Sequence, residues 1–221
     1  TVQNFSGTLT LELQQLSVCF PGALQQTALL NCQLKAGDRL WLHGPSGVGK
    51  STLLATLAGW LPPASGKVLV NGEDLQGYTA SIQRQHIALL SQQVSLFNMT
   101  LAANLRLAKP DATDDELRQV LADTQLVSWL NALPQGLDTQ LGEYGVAVSG
   151  GQARRIALAR LLLKQSSILL LDEPLVGLDS ATADQLVQSL SRRCQQQILI
   201  IASHQPLAAE LFCHQLQLKL L

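Results

Sequence analysis

Leu9, Leu11 and Leu13, then Leu16, Val18 and Phe20, space apolar residues as half-buried strands do, and Pro21-Gly22 stops the run. An antiparallel sheet is expected to open the chain. Ala36-Gly37-Asp38 turns into a strand over residues 39–43, which runs straight into a glycine-rich segment and then a helix over about 50–60. Beyond Pro62-Pro63, residues 67–70 read as a strand entering a tight Asn71-Gly72 turn, and 87–91 as another strand. Between about 93 and 149 the pattern becomes helical. Thr113 with Glu116 forms a capping box ahead of a helix to about Thr124, and Leu133-Pro134-Gln135-Gly136 breaks the run into a loop. A helix over 150–164 then leads into a strand at 168–172, a helix at 180–191, a strand at 198–203 and a short final helix. Strand and helix alternate, which predicts an α/β fold with a parallel sheet covered by helices on its faces.

Composition narrows the partners. The 221 residues fit one domain, 47% of them are hydrophobic and 14% charged, and 15 basic against 16 acidic residues leave a net charge of −1. No nucleic-acid partner is expected from that balance. Cys19, Cys32, Cys194 and Cys213 are scattered without a C-x-x-C pair, so reduced thiols are expected rather than a zinc site. The apolar runs fall far short of the ~20 residues that a membrane-crossing helix needs. Met99 is the only methionine and Thr1 to Gly7 has neither signal-peptide nor transit-peptide character, so the chain reads as excised from a longer polypeptide or processed.

Gly44-Pro45-Ser46-Gly47-Val48-Gly49-Lys50-Ser51, followed by Thr52, matches G-x-x-x-x-G-K-[ST] at every fixed position, with a strand before it and a helix after. Glycines let successive backbone N–H groups curl around phosphate oxygens, and the helix N-terminus adds its positive dipole end. Lys50 is expected to reach the β- and γ-phosphates and Ser51 to ligate Mg²⁺. Further on, an apolar strand ends in Asp172-Glu173, where Asp172 suits Mg²⁺ and Glu173 suits activation of water. Such a carboxylate pair alone is more often a helix cap or turn than a catalytic site, and its pairing with the phosphate loop reverses that preference. Ser149-Gly150-Gly151-Gln152 opens a helix and, in isolation, reads as a serine N-cap followed by flexible glycines.

These motifs, in this order, resemble the ABC ATPase family over nearly the whole chain. The family's signature is matched by Val148-Ser149-Gly150-Gly151-Gln152, with valine where leucine is usual. The resemblance implies that Gln92 is the glutamine-loop residue, touching Mg²⁺ or the attacking water, and that His204 is the switch histidine at the γ-phosphate. It implies that Leu178-Asp179 is the D-loop, although Val176-Gly177 replaces the usual serine-alanine; Asp179 could instead cap the following helix. Phe20 stands where the family stacks an aromatic ring on adenine, with a core position as the alternative.

The implied fold is a P-loop NTPase, RecA-like core with a mostly parallel sheet, an N-terminal antiparallel β subdomain and an inserted α-helical subdomain. Residues 1–221 would form a single domain, with 1–92 and 150–221 as the α/β core and 93–149 as the helical insertion. The segment from Leu96-Phe97 to Asn104-Leu105 resembles exporter-type members, as do Gly136-Leu137-Asp138-Thr139 and Leu141-Gly142-Glu143, and the pattern is most similar to the bacterial thiol exporters needed for cytochrome bd assembly.

A transmembrane domain would then precede the chain in the same polypeptide, at the cytoplasmic face of the bacterial inner membrane. Two ATP-binding domains would sandwich two ATP molecules, each held between one phosphate loop and the opposite signature. The chain ends soon after His204, short of the strands and helix with which family members usually continue, so it was trimmed or is naturally short. A soluble ABC ATPase acting on DNA or ribosomes is the competing expectation, disfavoured by the charge balance and the exporter-like segment. A nucleotide-binding regulatory domain without turnover is the third.

Overall fold

The computed structural model describes residues 5, 7–20, 22, 25–142 and 145–220; Pro21, Glu143 and most of the opening segment before Gly7 lie outside the described residues. The chain divides into two compact units. The first comprises Thr1–Ser91, Ser166–Glu173 and Cys194–Leu221, and the second Gln92–Gln165 and Pro174–Arg193.

The first unit holds two sheets. Strands β1 (Thr10–Ser17), β2 (Leu30–Lys35), β4 (Ser65–Val70) and β5 (Glu73–Asp74) form an antiparallel sheet in the order β2-β1-β4-β5. Leu11 and Leu13 are buried and so is Leu16, three positions on, because the register of β1 slips against both neighbours between Leu13 and Ser17. Gln15 takes a left-handed φ of 47° in that slip, and Asn31 Oδ1 accepts its backbone N–H at 2.9 Å. The irregular leucine spacing is thus a β-bulge. Asn71 and Gly72, at φ of 53° and 82°, make the expected turn between β4 and β5.

The second sheet is parallel throughout. Strands β3 (Arg39–His43), β6 (Ile87–Leu90), β7 (Ile168–Asp172), β8 (Ile198–Ala202) and β9 (His214–Gln217) run in the order β6-β7-β8-β3-β9. Every residue of β7 and β8 is buried, as central strands covered on both faces require. Their runs are therefore continuously apolar. Leu170 and Ile200 join Leu40, Leu54 and Leu57 in a core that also includes Leu11, Leu13 and Val68. Leu170→Ala is expected to cost about 3 kcal/mol of stability, measured by chemical denaturation, because a wholly buried leucine leaves a cavity.

Two elements differ from expectation. Helix α1 (Lys50–Leu57) stops three residues early: Trp60 N–H bonds Ala55 O at 2.9 Å and Gly59 N–H bonds Thr56 O at 3.0 Å, with Gly59 at a φ of 76°. That pair of bonds is a Schellman cap, which glycine's freedom at positive φ permits. Beyond β8, the expected short helix is a 3-10 turn at Ala209–Leu211, and the chain then adds β9, which pairs with β3. Helix α2 (Ala80–His86) completes this unit.

The second unit is helical: α3 (Leu101–Arg106), α4 (Asp114–Asp123), α5 (Val127–Ala132), α6 (Gly150–Lys164) and α7 (Ser180–Arg193). Thr113 caps α4 through the expected reciprocal bonds with Glu116. Helix α4 packs on both α6 and α7, and Arg193 pairs with Asp123 at 2.6 Å, so α6 and α7 cluster with the inserted segment.

Candidate nucleotide site

In the parallel sheet Leu42, Ala202 and Asp172 stand abreast, so β3, β8 and β7 end at a common edge. Strand β8 lies between the other two. The chain therefore leaves this edge at Gly44, Ser203 and Glu173 side by side, the place where open α/β sheets bind ligands.

The loop after β3 bends through glycines: Gly44, Gly47 and Gly49 have φ of 150°, 78° and 103°. At Gly44 a Cβ would meet the backbone oxygen of Leu218 at 2.8 Å, so no side chain fits there. Gly49 is the N-cap of α1, no side chain caps it, and the first turn carries no acid. The positive end of the helix dipole therefore faces the loop, a setting that favours an anion. Lys50 is 7% exposed, and its Nζ donates to Gly44 O at 2.9 Å and Pro45 O at 3.1 Å, lying along the loop it serves. Ser51 is exposed and Thr52 buried at the first turn of α1. Phe20 is 66% exposed, which removes the core alternative. It lines a cleft of about 110 Å³ with Thr27, Val48, Gly49 and Thr52, beside the phosphate loop. Thr27 carries no motif that would have marked it in the sequence.

At the end of β7, Asp172 is buried at 3% exposure while Glu173 takes a left-handed φ of 51°, a conformation unfavourable for a residue with a Cβ. The surroundings hold it there. Its N–H bonds Ala202 O at 2.9 Å, and its Oε2 lies 2.9 Å from His204 Nδ1 and accepts the His204 backbone N–H at 3.4 Å. The Glu173 side chain is 12% exposed and that of His204 55%. The carboxylate is thus shielded and oriented, and the imidazole faces outward. Helix α1 packs on β7, bringing the element that carries Ser51 against the one that carries Asp172. A hydroxyl and a carboxylate suit Mg²⁺, a hard ion that is held by one or two protein oxygens together with phosphate oxygens. Among the described residues no three His, Cys, Asp or Glu side chains gather as a metal-ligand set.

Three of the expected features, the segment Ser149 to Gln152, Asp179 and Gln92, lie on the second unit. Ser149 caps α6: its Oγ accepts the Gln152 N–H at 3.2 Å, and Gln152 Oε1 accepts the Ser149 N–H at 2.9 Å. Both Ser149 and Gly150 are exposed, and a Cβ at Gly150 would meet nothing within 4 Å. The capping arrangement therefore leaves an open surface at the helix start. Asp179 caps α7, with Oδ1 accepting the Thr182 N–H at 3.0 Å and Oδ2 the Thr182 hydroxyl at 2.7 Å. Those bonds hold its carboxyl below the usual carboxylate range. Gln92 is exposed, and its carbonyl accepts a bond from Arg154 Nη1 at 2.8 Å. Neither Arg154 nor the Gln92 carbonyl carries a motif that marks it in the sequence.

Residues 28–176 match the family described as ABC transporter. The chain is 36% identical over 197 residues to the glutathione/L-cysteine transport system ATP-binding/permease protein CydD of Escherichia coli, covering 89% of this chain and 33% of that protein. It is 37% identical over 175 residues to the ATP-dependent lipid A-core flippase of Chromohalobacter salexigens, covering 79% and 30% respectively. Among solved structures, a bacterial Atm1-family ABC exporter with ATP bound superimposes with a TM-score of 0.81 at 27% identity, over 93% of this chain and 36% of that one. The chain thus spans about a third of the length of these relatives. No helix among the described residues is long and apolar enough to cross a membrane. With phosphate loop, carboxylates and signature present and exporters as its relatives, the chain belongs to the ABC transporter family as an ATP-binding, ATP-hydrolysing domain.

Proposed function

We propose that residues 1–221 act as one ATP-driven motor domain of a membrane exporter, closing with a second such domain around two ATP molecules. The observation that carries this reading is Glu173, held in a left-handed conformation and bonded to His204 at the sheet edge from which the phosphate loop also departs. In the proposed site Phe20 stacks on adenine, the loop from Gly44 to Thr52 cradles the phosphates, and Lys50 neutralises their charge. Glu173 orients and polarises the attacking water, and the exposed edge of His204 reaches the γ-phosphate. Ser51, Gln92 and Asp172 are assigned as the Mg²⁺ contacts; the ion would offset charge on the β- and γ-phosphate oxygens. Catalysis then rests mainly on positioning and electrostatics.

The exposed start of α6, with its capping serine and two small glycines, suits the phosphates of a nucleotide held on the opposite domain. Asp179 is assigned to the same junction. CydD is named as an ATP-binding/permease protein, and this chain covers 33% of it and 30% of the flippase, which supports a transmembrane partner, within the same polypeptide, at the cytoplasmic face of a bacterial inner membrane. Ser149→Arg tests the paired site. The full-length protein is expected to keep ATP binding and lose steady-state phosphate release, since a large cation would occupy the surface that meets the second nucleotide. Unaltered release by a folded Ser149→Arg protein would sink the pairing.

A further inference from the structure

Helix α6 carries three arginines, Arg154, Arg155 and Arg160, and each is tied to a backbone carbonyl of the second unit. Arg155 Nη1 donates to Gln125 O at 2.7 Å, which anchors the turn after α4. Arg160 reaches the loop ahead of α3: its Nη2 donates to Asn104 Oδ1 at 3.1 Å and its guanidinium lies 5.7 Å from the Phe97 ring centroid. Asn104 is wholly buried and pins the same loop, accepting from Phe97 N–H at 2.9 Å and donating to Phe97 O at 3.0 Å and Met99 O at 3.2 Å. The far end of the segment that starts at Gln92 is therefore fixed twice over. Its near end is held by Arg154, through the 2.8 Å bond to Gln92 O.

Arg154 is only 9% exposed, and a buried guanidinium is expensive to desolvate, so a residue that only filled space at this point of α6 would be apolar. Five donors in a rigid fork suit a role that holds backbone in place. The tether sits one turn into the helix that Ser149 caps, roughly 7 Å along its axis from that serine at 1.5 Å per residue.

We propose that Arg154 is a positioning residue for ATP hydrolysis: it locks the backbone of Gln92 to the signature helix, so that the Gln92 side chain and Ser149–Gln152 move as one body. The inference rests on the reading of Gln92 and the signature as parts of the ATP site. It makes arrival of the signature at a nucleotide and arrival of Gln92 a single event. Arg154 itself touches no reacting atom; its effect passes through Gln92.

The test is a double-mutant cycle on the full-length protein in membrane vesicles, with Arg154→Met, Arg154→Lys, Gln92→Ala and the Arg154→Met/Gln92→Ala pair. Arg154→Met is expected to lower kcat about tenfold while KM for ATP stays within about twofold, the pattern of an interaction used in turnover rather than in binding. Arg154→Lys should recover part of the loss, since an ammonium still donates to a carbonyl. The pair should be no slower than Gln92→Ala alone, because a tether has no effect once its load is gone. A purely structural arginine would lower the melting temperature and multiply its effect with that of Gln92→Ala, and that outcome overturns the proposal. So does an unchanged kcat in Arg154→Met; should Arg154→Met not fold, an Arg154→Lys loss that multiplies with that of Gln92→Ala overturns it equally. Full turnover in Gln92→Ala would remove the role of Gln92 and the tether with it, while loss of turnover in Gln92→Ala with multiplying effects removes the tether alone.

Discussion

Glu173→Gln is expected to leave ATP bound and to cut steady-state phosphate release by about a hundredfold or more, the loss typical when a positioned general base is removed. The substitution keeps the shape of the side chain and an oxygen that can accept from His204 Nδ1, now 2.9 Å from Oε2, so the local fold should survive. What it removes is the negative charge and basicity that polarise water. Binding of a fluorescent ATP analogue measured beside phosphate release separates the two effects. Unchanged release in this variant would strip Glu173 of the assigned role, and lost binding would mean that the carboxylate matters to the ground state instead.

Lys50→Ala carries the second large effect, at the opposite step. Hydrogen bonds between charged groups contribute about 1.5–3 kcal/mol each, so loss of the ammonium should weaken ATP binding about ten- to a hundredfold, read by calorimetry on the expressed chain. Part of that loss comes from the protein alone. Lys50 Nζ also donates to Gly44 O and Pro45 O, so alanine removes two bonds that hold the loop as well as its charge. Lys50→Arg separates these contributions: it retains the charge, but its planar fork does not reproduce the point contact of an ammonium at 7% exposure. Restored affinity in Lys50→Arg would show that charge alone suffices, and unweakened binding in Lys50→Ala would remove Lys50 from the phosphate site.

Much of the architecture was legible because it is written in local patterns. The runs Ile168 to Leu171 and Ile198 to Ile201 are apolar at every position because both faces of those strands are covered. Thr113 with Glu116 announced one helix start through side chains only three residues apart, and Ser149 announced another as an N-cap. The phosphate loop was legible from glycines whose φ values no other residue adopts easily. Features that depend on distant partners left no comparable mark. Strand β9 reads His-Gln-Leu-Gln, with both glutamines exposed, and only its pairing with β3 makes it a strand. The apolar Trp60 extended the pattern of α1 past the point where Gly59 ends it, and that ring is 60% exposed. Arg154 finds a carbonyl 62 positions away in the chain, which no local pattern records. Glutamate is not a turn residue, so nothing in the sequence announces the left-handed backbone at Glu173.

That backbone sets stability against turnover at one position. An L-residue at a φ of 51° is strained by about 1–2 kcal/mol, whereas glycine adopts the same angles freely. The contacts with His204 offset part of this strain, but they too belong to the site. Artificial selection for heat resistance alone should therefore drift toward glycine at position 173 and return well-behaved, inert protein; a library screened on turnover should hold glutamate and accept the lower melting point.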